Sequence, residues 1–137
     1  MVPREETERA IAAFLDGAPF AVAGASRDRN KFGNKVLRCY LKDGRAVFAL
    51  NPREESIEGV ACYPDLASVP QRVHGLSIVT PPHVTERVVE DAARAGVQHL
   101  WMQPGAESRA ALARARALDL AVIAGGPCLL VELGWSG

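Results

Sequence analysis

The 137-residue chain is predicted to be an α/β protein, a single Rossmann-like doubly wound domain with about five mainly parallel strands and helices on both faces. Three observations predict it. Five short apolar runs, FAVAG (20–24), AVFAL (46–50), LSIVT (76–80), HLWMQ (99–103) and AVIAG (121–125), are continuous in hydrophobicity. A strand covered on both faces reads that way, because no side of it needs polar residues. Segments with helical spacing lie between the runs, and strict alternation of the two types suits a parallel sheet whose crossovers are helices.

Taken in order, the chain begins with an amphipathic segment from Glu5 to Leu15, expected as a helix over about residues 4–16 that docks Ile11, Phe14 and Leu15 on the sheet. After the first apolar run, Val36, Leu37, Tyr40 and Leu41 share a helical stripe, which Gly44 stops. The stretch 51–74 breaks the rhythm. Its segment NPREESIEGVACYPDLASVP is rich in turn residues and leaves room only for a short helix or a strand fragment. Val84, Val88, Val89 and Ala92 form a second stripe closed by Gly96, and Ala111, Leu112, Ala115 and Leu118 form a third. No repeat, low-complexity tract or linker divides the chain, so the domain is expected to span 1–137.

Composition narrows the function classes. Hydrophobic residues make up 48% of the chain and charged residues 23%, an ordinary globular balance. Sixteen basic residues offset sixteen acidic ones, which gives no support to a nucleic-acid or membrane-surface role. The opening MVPREETERA is charged where a signal peptide would be apolar, and no run reaches membrane-spanning length, so no targeting segment is expected. Cys39, Cys62 and Cys128 are widely spaced and form neither a metal-binding pair nor a disulfide framework; a reducing cytoplasm is the expected compartment.

In a doubly wound sheet, ligands bind at the carboxyl ends of the strands, near the point where strand order reverses. Three strand ends would meet there: Gly24-Ala25-Ser26, Asn51-Pro52-Arg53 and Thr80-Pro81-Pro82. The first precedes a helix whose unpaired N–H groups carry partial positive charge, and small residues let a phosphate approach them. Arg27 and Lys31 would add charge-assisted contacts, and Gly33, inside the helix, permits close packing on the strand. The spacing is neither G-x-G-x-x-G nor a P-loop. At the second end, an NAD site wants an acidic residue to hold the ribose hydroxyls, and Asn51 stands there with Arg53 nearby. A phosphorylated ribose is favoured, and both NADP and coenzyme A, with its 3′-phosphate, satisfy that condition. At the third, two prolines stiffen a rim at the start of the next helix. Each motif taken singly is also explained by a solvated turn.

Together, VAGAS…KFGNKVL, ALNPR, EGVACYPDLASVP, IVTPPHV and LWMQPG resemble the CoA-binding domain family, from about Phe20 to about Ile123. That family includes small stand-alone CoA-binding proteins, the first domain of the succinyl-CoA synthetase alpha subunit and a domain of the NDP-forming acyl-CoA synthetases. The resemblance implies a Rossmann-like fold that binds coenzyme A, with the pyrophosphate on the first loop. It assigns Gly24, Ala25, Ser26, Lys31 and Gly33 to the phosphate loop, with Arg27 in a longer loop than the synthetases have. It assigns Asn51, Pro52 and Arg53 to the 3′-phosphate and adenine, and Thr80, Pro81 and Pro82 to the adenine and pantetheine. The synthetases carry their phosphorylated histidine in a separate, later domain; His74, His83 and His99 do not sit in corresponding places. Small family members often have Asp-Arg-Cys after the last strand, where this chain has Gly126-Pro127-Cys128.

No catalytic constellation or metal cluster can be assembled from the sequence. His83 begins a helix near the crevice and reads as a partly exposed helix-start residue, whereas His99 and His74 fall toward the other end of the strands. No cation lies near Cys128 in GGPCLLVEL, so it is expected to be a buried structural cysteine. Trp101 and Trp135 are expected to pack. The chain is thus expected to bind CoA or acyl-CoA without self-sufficient catalysis. An NADP-dependent oxidoreductase and one subunit of a split acyl-CoA synthetase are the alternatives. Its expected partner is a small molecule, with no nucleic acid and no membrane, and a protein partner or homo-oligomer is left open.

Overall fold

The computed structural model describes residues 4–136; residues 1–3 and 137 of the expected domain lie outside them. Helix α1 (Arg4–Leu15) leads into β1 (Phe20–Ala23), α2 (Phe32–Lys42) and β2 (Val47–Leu50). A short hairpin follows, β3 (Ser56–Ile57) and β4 (Val60–Tyr63), then a 3-10 turn at Leu66–Ser68. The chain continues through β5 (Gly75–Ile78), α3 (Pro82–Arg94), β6 (His99–Met102), α4 (Arg109–Ala117), β7 (Ala121–Ile123) and α5 (Leu129–Glu132).

The expected α/β class is found, with seven strands where about five were expected, in the order β3-β4-β2-β1-β5-β6-β7. All neighbours pair in parallel except β3 with β4. The six parallel strands, counted along the chain, lie in the Rossmann order 3-2-1-4-5-6, so the order reverses between β1 and β5. The two extra strands come from the 51–74 stretch. Its hairpin turns at Glu58-Gly59, both with positive φ (52° and 77°), as a two-residue type I′ turn requires.

Burial explains why the apolar runs are continuous. Phe20, Ala21, Val22 and Ala23 are all buried, because alternate residues of β1 enter two different cores. On one face α1, α2 and α5 bring Phe14, Leu37, Tyr40 and Leu129 against Phe20, Val22 and Trp101. On the other, α3, α4 and the 3-10 turn bring Val89, Ala92, Ala111 and Leu66 against Ala21, Leu76 and Leu100. Phe20 stacks on Tyr40 with ring centroids 5.0 Å apart, and the Tyr40 hydroxyl shares a 2.6 Å hydrogen bond with Ser77. Burial pushes the Tyr40 hydroxyl far above its ordinary pKa, so it stays protonated in the folded chain. Leu41, expected in the α2 stripe, is instead 39% exposed: it falls on the solvent side of Tyr40, and Cys39 takes an inward position.

At the amino-terminal edge of the sheet, the His74 and His99 rings lie 4.6 Å apart, and His74 Nε2 meets the Ala13 carbonyl at 3.1 Å. Burial, reinforced by the neighbouring His74 ring, holds His99 below its ordinary value of 6.5. The unfolded chain therefore takes up this proton more readily than the folded one. The His99 contribution is intact above pH 6.5 and is lost as pH falls through that value toward the lower, folded one. Thermal midpoints should be level from pH 8 to 7 and then decline. In a His99→Gln variant the decline between pH 6.5 and 5 should be shallower; identical slopes in variant and parent would refute the assignment.

Candidate functional site

The reversal point between β1 and β5 is lined by the loops that the sequence singles out. At Gly24 the chain leaves β1 with φ of +91°, a conformation in which side chains other than glycine are strained. A Cβ there would also stand 3.0 Å from the Val79 backbone. Gly33, the second residue of α2, faces Gly24 directly: a Cβ would overlap the Gly24 carbonyl oxygen and come within 3.3 Å of the Ala25 Cα. These two glycines seat the start of α2 on the end of β1. The helix begins after Lys31, an extended N-cap whose side chain makes no capping bond (φ −81°, ψ 148°). Lys35 N–H donates to the Lys31 carbonyl, so the N–H groups of Phe32, Gly33 and Asn34 precede the first intrahelical bond. The arrangement is a small-residue cradle beneath a positive helix end.

The rest of the loop is held from within. Ser26 Oγ accepts from Asp28 N–H at 3.1 Å, and Asp28 Oδ1 accepts from Asn30 N–H at 3.0 Å. The buried Asn34 donates through Nδ2 to the Ser26 carbonyl at 2.8 Å, and its Oδ1 accepts from Arg38 Nε at 2.7 Å. At the end of β2, Asn51 Nδ2 donates to the Ala25 carbonyl at 2.9 Å while its Oδ1 accepts from Arg53 N–H at 2.8 Å. Asn51 therefore ties the second strand end to the first, and its side chain carries no negative charge. At the third, Pro81 caps α3 and Pro82 opens it, as the two prolines predict. The Thr80 and Thr85 hydroxyls pair at 2.7 Å behind them. Pro81, Pro82 and Arg53 are exposed, and Thr80 is half-buried.

The hairpin alters the charge expected of the basic loop. Arg27 Nε lies 3.1 Å from Glu54 Oε2, and Arg29 Nε lies 3.4 Å from Glu58 Oε2. The Arg27–Glu54 pair is close but poorly aligned, since Glu54 Oε2 is buried without a hydrogen-bond partner. Glu58 also accepts from Asn34 Nδ2 at 3.1 Å. Both arginines are largely exposed, so each pair contributes little to stability, about 0–1 kcal/mol. Their electrostatic effect is plainer: Arg27 and Arg29 are neutralised by the hairpin, while Lys31 is exposed and has no ion-pair partner among the described residues. The sequence did not show this pairing.

Four of the weighed residues are placed differently from one another. His83 is exposed in the first turn of α3 and touches none of the loop residues through a hydrogen bond. Cys128, expected to be buried, is half-buried at the N-cap of α5, because Gly125 and Gly126 carry the chain out at positive φ before it turns back. Trp101 is buried, whereas Trp135 is half-buried beneath Arg38 and Lys42, whose cationic groups stand 5.2 and 5.4 Å from its ring. A cavity of about 900 Å³ opens between residues 64–73 and α3, and of the three strand ends only Pro52 borders it. Its physical origin is the β4–β5 crossover, where a single 3-10 turn stands in place of a full helix. Among the described residues no cluster of three or more His, Cys, Asp or Glu could hold a metal, and no helix is long and apolar enough to cross a membrane.

The CoA binding domain family matches residues 19–134. This chain belongs to it. The domain is 33% identical over 78 residues to acetate–CoA ligase [ADP-forming] I of Archaeoglobus fulgidus, covering 57% of this chain and 11% of the ligase. It is 32% identical over 87 residues to acetate–CoA ligase [ADP-forming] II subunit alpha of Pyrococcus furiosus, covering 62% of this chain and 19% of that subunit. The domain thus matches between about a ninth and a fifth of the length of these curated relatives. A solved conserved hypothetical protein from Pyrococcus furiosus superposes with a TM-score of 0.80 at 34% identity, covering 85% of this chain and 99% of that one.

Proposed function

We propose that this CoA-binding domain holds coenzyme A or an acyl-CoA across the ends of β2, β1, β5 and β6 and does not complete a reaction alone. The observation that carries the reading is the cradle at Gly24 and Gly33. It offers the first N–H groups of α2 beside an unpaired Lys31, at the point where strand order reverses. Ala25 and Ser26 line the same loop. The diphosphate belongs there, with Lys31 as its charged partner and Arg27 available once it leaves Glu54. Asn51, Pro52 and Arg53 receive the sugar, because Asn51 brings no carboxylate and Arg53 has no ion-pair partner among the described residues. Thr80, Pro81 and Pro82 form the rim for the adenine and pantetheine.

Titration calorimetry against CoA, dephospho-CoA, NAD and NADP tests this. CoA should bind most tightly, and tight binding of NADP with none of CoA would sink the proposal. Arg53→Glu should weaken CoA about 10- to 100-fold and dephospho-CoA much less, since a charge-assisted hydrogen bond contributes about 1.5–3 kcal/mol. Equal weakening of both ligands would remove Arg53 from the 3′-phosphate. The match to a ligase alpha subunit favours a second reading, in which the domain serves as one part of a split acyl-CoA synthetase. Thioester formation that appears only on mixing with a copurified partner would support it.

A further inference from the structure

Gln103 follows β6 at the same edge of the sheet as Gly24, Asn51 and Thr80. Its side chain is fully buried, and Oε1 accepts a hydrogen bond from Leu129 N–H at 2.9 Å. That bond fixes which way the amide faces. A backbone N–H can only donate, so the oxygen must point at Leu129 and the NH₂ group away from it. Nε2 is left buried with no hydrogen-bond partner. A buried donor without an acceptor loses its hydration and gains nothing in return, so each such group calls for an explanation.

We propose that Gln103 Nε2 donates to a carbonyl oxygen of the pantetheine arm or acyl thioester, which places the acyl end of the ligand over β6 beside Cys128. The inference rests on the CoA reading above and adds a direction to it. With the sugar phosphate at β2 and the diphosphate at β1, the arm has to leave the other way, across β5 toward β6. Those strands are two spacings apart, about 10 Å, well within the reach of an extended pantetheine. The acceptors that a buried amide donor meets along that arm are the carbonyls of its two amides and the oxygen of its one hydroxyl, with a further carbonyl in an acyl thioester at the end that reaches β6. The sugar phosphate and the diphosphate, placed at the ends of β2 and β1, stay out of reach of Gln103.

The test compares CoA with adenosine 3′,5′-bisphosphate, which has the sugar phosphates but no arm. Gln103→Met removes the donor. Gln103→Glu keeps an oxygen for Leu129 and, when ionised, has no proton to give. Both variants should lose about tenfold in CoA affinity while binding the bisphosphate as the parent does. That retained binding also shows that the strand ends are still folded. A second readout uses thiol labelling. Burial raises Cys39 to about 11 and raises Cys62 as well, leaving the half-buried Cys128 as the thiol that alkylation reports. CoA should change the labelling rate at Cys128 and the bisphosphate should not. Unchanged CoA affinity in both variants overturns this inference and leaves CoA binding intact. Failure of the parent to bind CoA overturns the reading on which it rests.

Discussion

Gly33→Ala is expected to lower the thermal midpoint by about 3–10 °C, since overpacking costs about 1–3 kcal/mol and a domain of this size loses about 3 °C per kcal/mol. The same change should weaken CoA binding at least about tenfold. Taken as a helix substitution alone, it would have the opposite sign, because alanine is favoured over glycine by about 1 kcal/mol in a helix interior. Space decides against it. The new methyl group would overlap the Gly24 carbonyl oxygen and sit 3.0 Å from the carbonyl carbon, both backbone atoms that no rotamer change can move. Gly24 cannot retreat either, since its other side is packed on the Val79 backbone. The start of α2 must then lift from β1, and the N–H groups of the cradle move with it. Thermal melts and calorimetry on one variant read both effects. A rise in midpoint with unchanged affinity would show that the helix start does not depend on this contact.

The parallel strands β1, β2, β5 and β6 were legible because each is buried on nearly every residue, which leaves a continuous apolar run; the edge strand β7 keeps such a run although Ala121 is exposed, and the helix stops at Gly44 and Gly96 were legible from their glycines. The hairpin was not. β3 has two residues, β4 alternates only weakly in burial, and the type I′ turn uses Glu58 at its first position, where Asn or Asp would have announced it. The same blind spot hid the electrostatics of the site. Arg27 read as a free cation in the sequence, and only the fold brings Glu54 onto it and Glu58 onto Arg29. Gly24 and Gly33 were readable as a pair because a loop glycine and a glycine inside a helix are both conspicuous. Gln103 was visible only within the motif LWMQPG, since a half-satisfied amide depends on the return of the chain at Leu129, a contact that no local pattern encodes. Cys128 failed for a related reason: the residues around it are apolar, but Gly125 and Gly126 turn it outward.

Trp101→Ala should cost the most stability, about 3–5 kcal/mol, which is a large share of the 5–15 kcal/mol available to a typical domain. The indole is fully buried on the α1 and α5 side of the sheet, edge-on to Phe14 with ring centroids 5.2 Å apart. Its Nε1–H donates to the Pro127 carbonyl at 3.0 Å. One side chain thus holds the N-terminal helix by packing and the segment before α5 by a hydrogen bond. Trp101→Phe separates the two, because it keeps most of the ring and removes the donor. The phenylalanine variant should melt well above the alanine variant and lose about 0.5–1.5 kcal/mol for the bond, with some further loss for the smaller ring. Freed from Trp101, the Pro127–Cys128 segment should expose its thiol more often, so alkylation at Cys128 should quicken in Trp101→Phe even at temperatures where the fold is intact. If labelling stays at the parent rate while the midpoint falls, the Pro127 bond does not restrain the segment, and the indole contributes by packing alone.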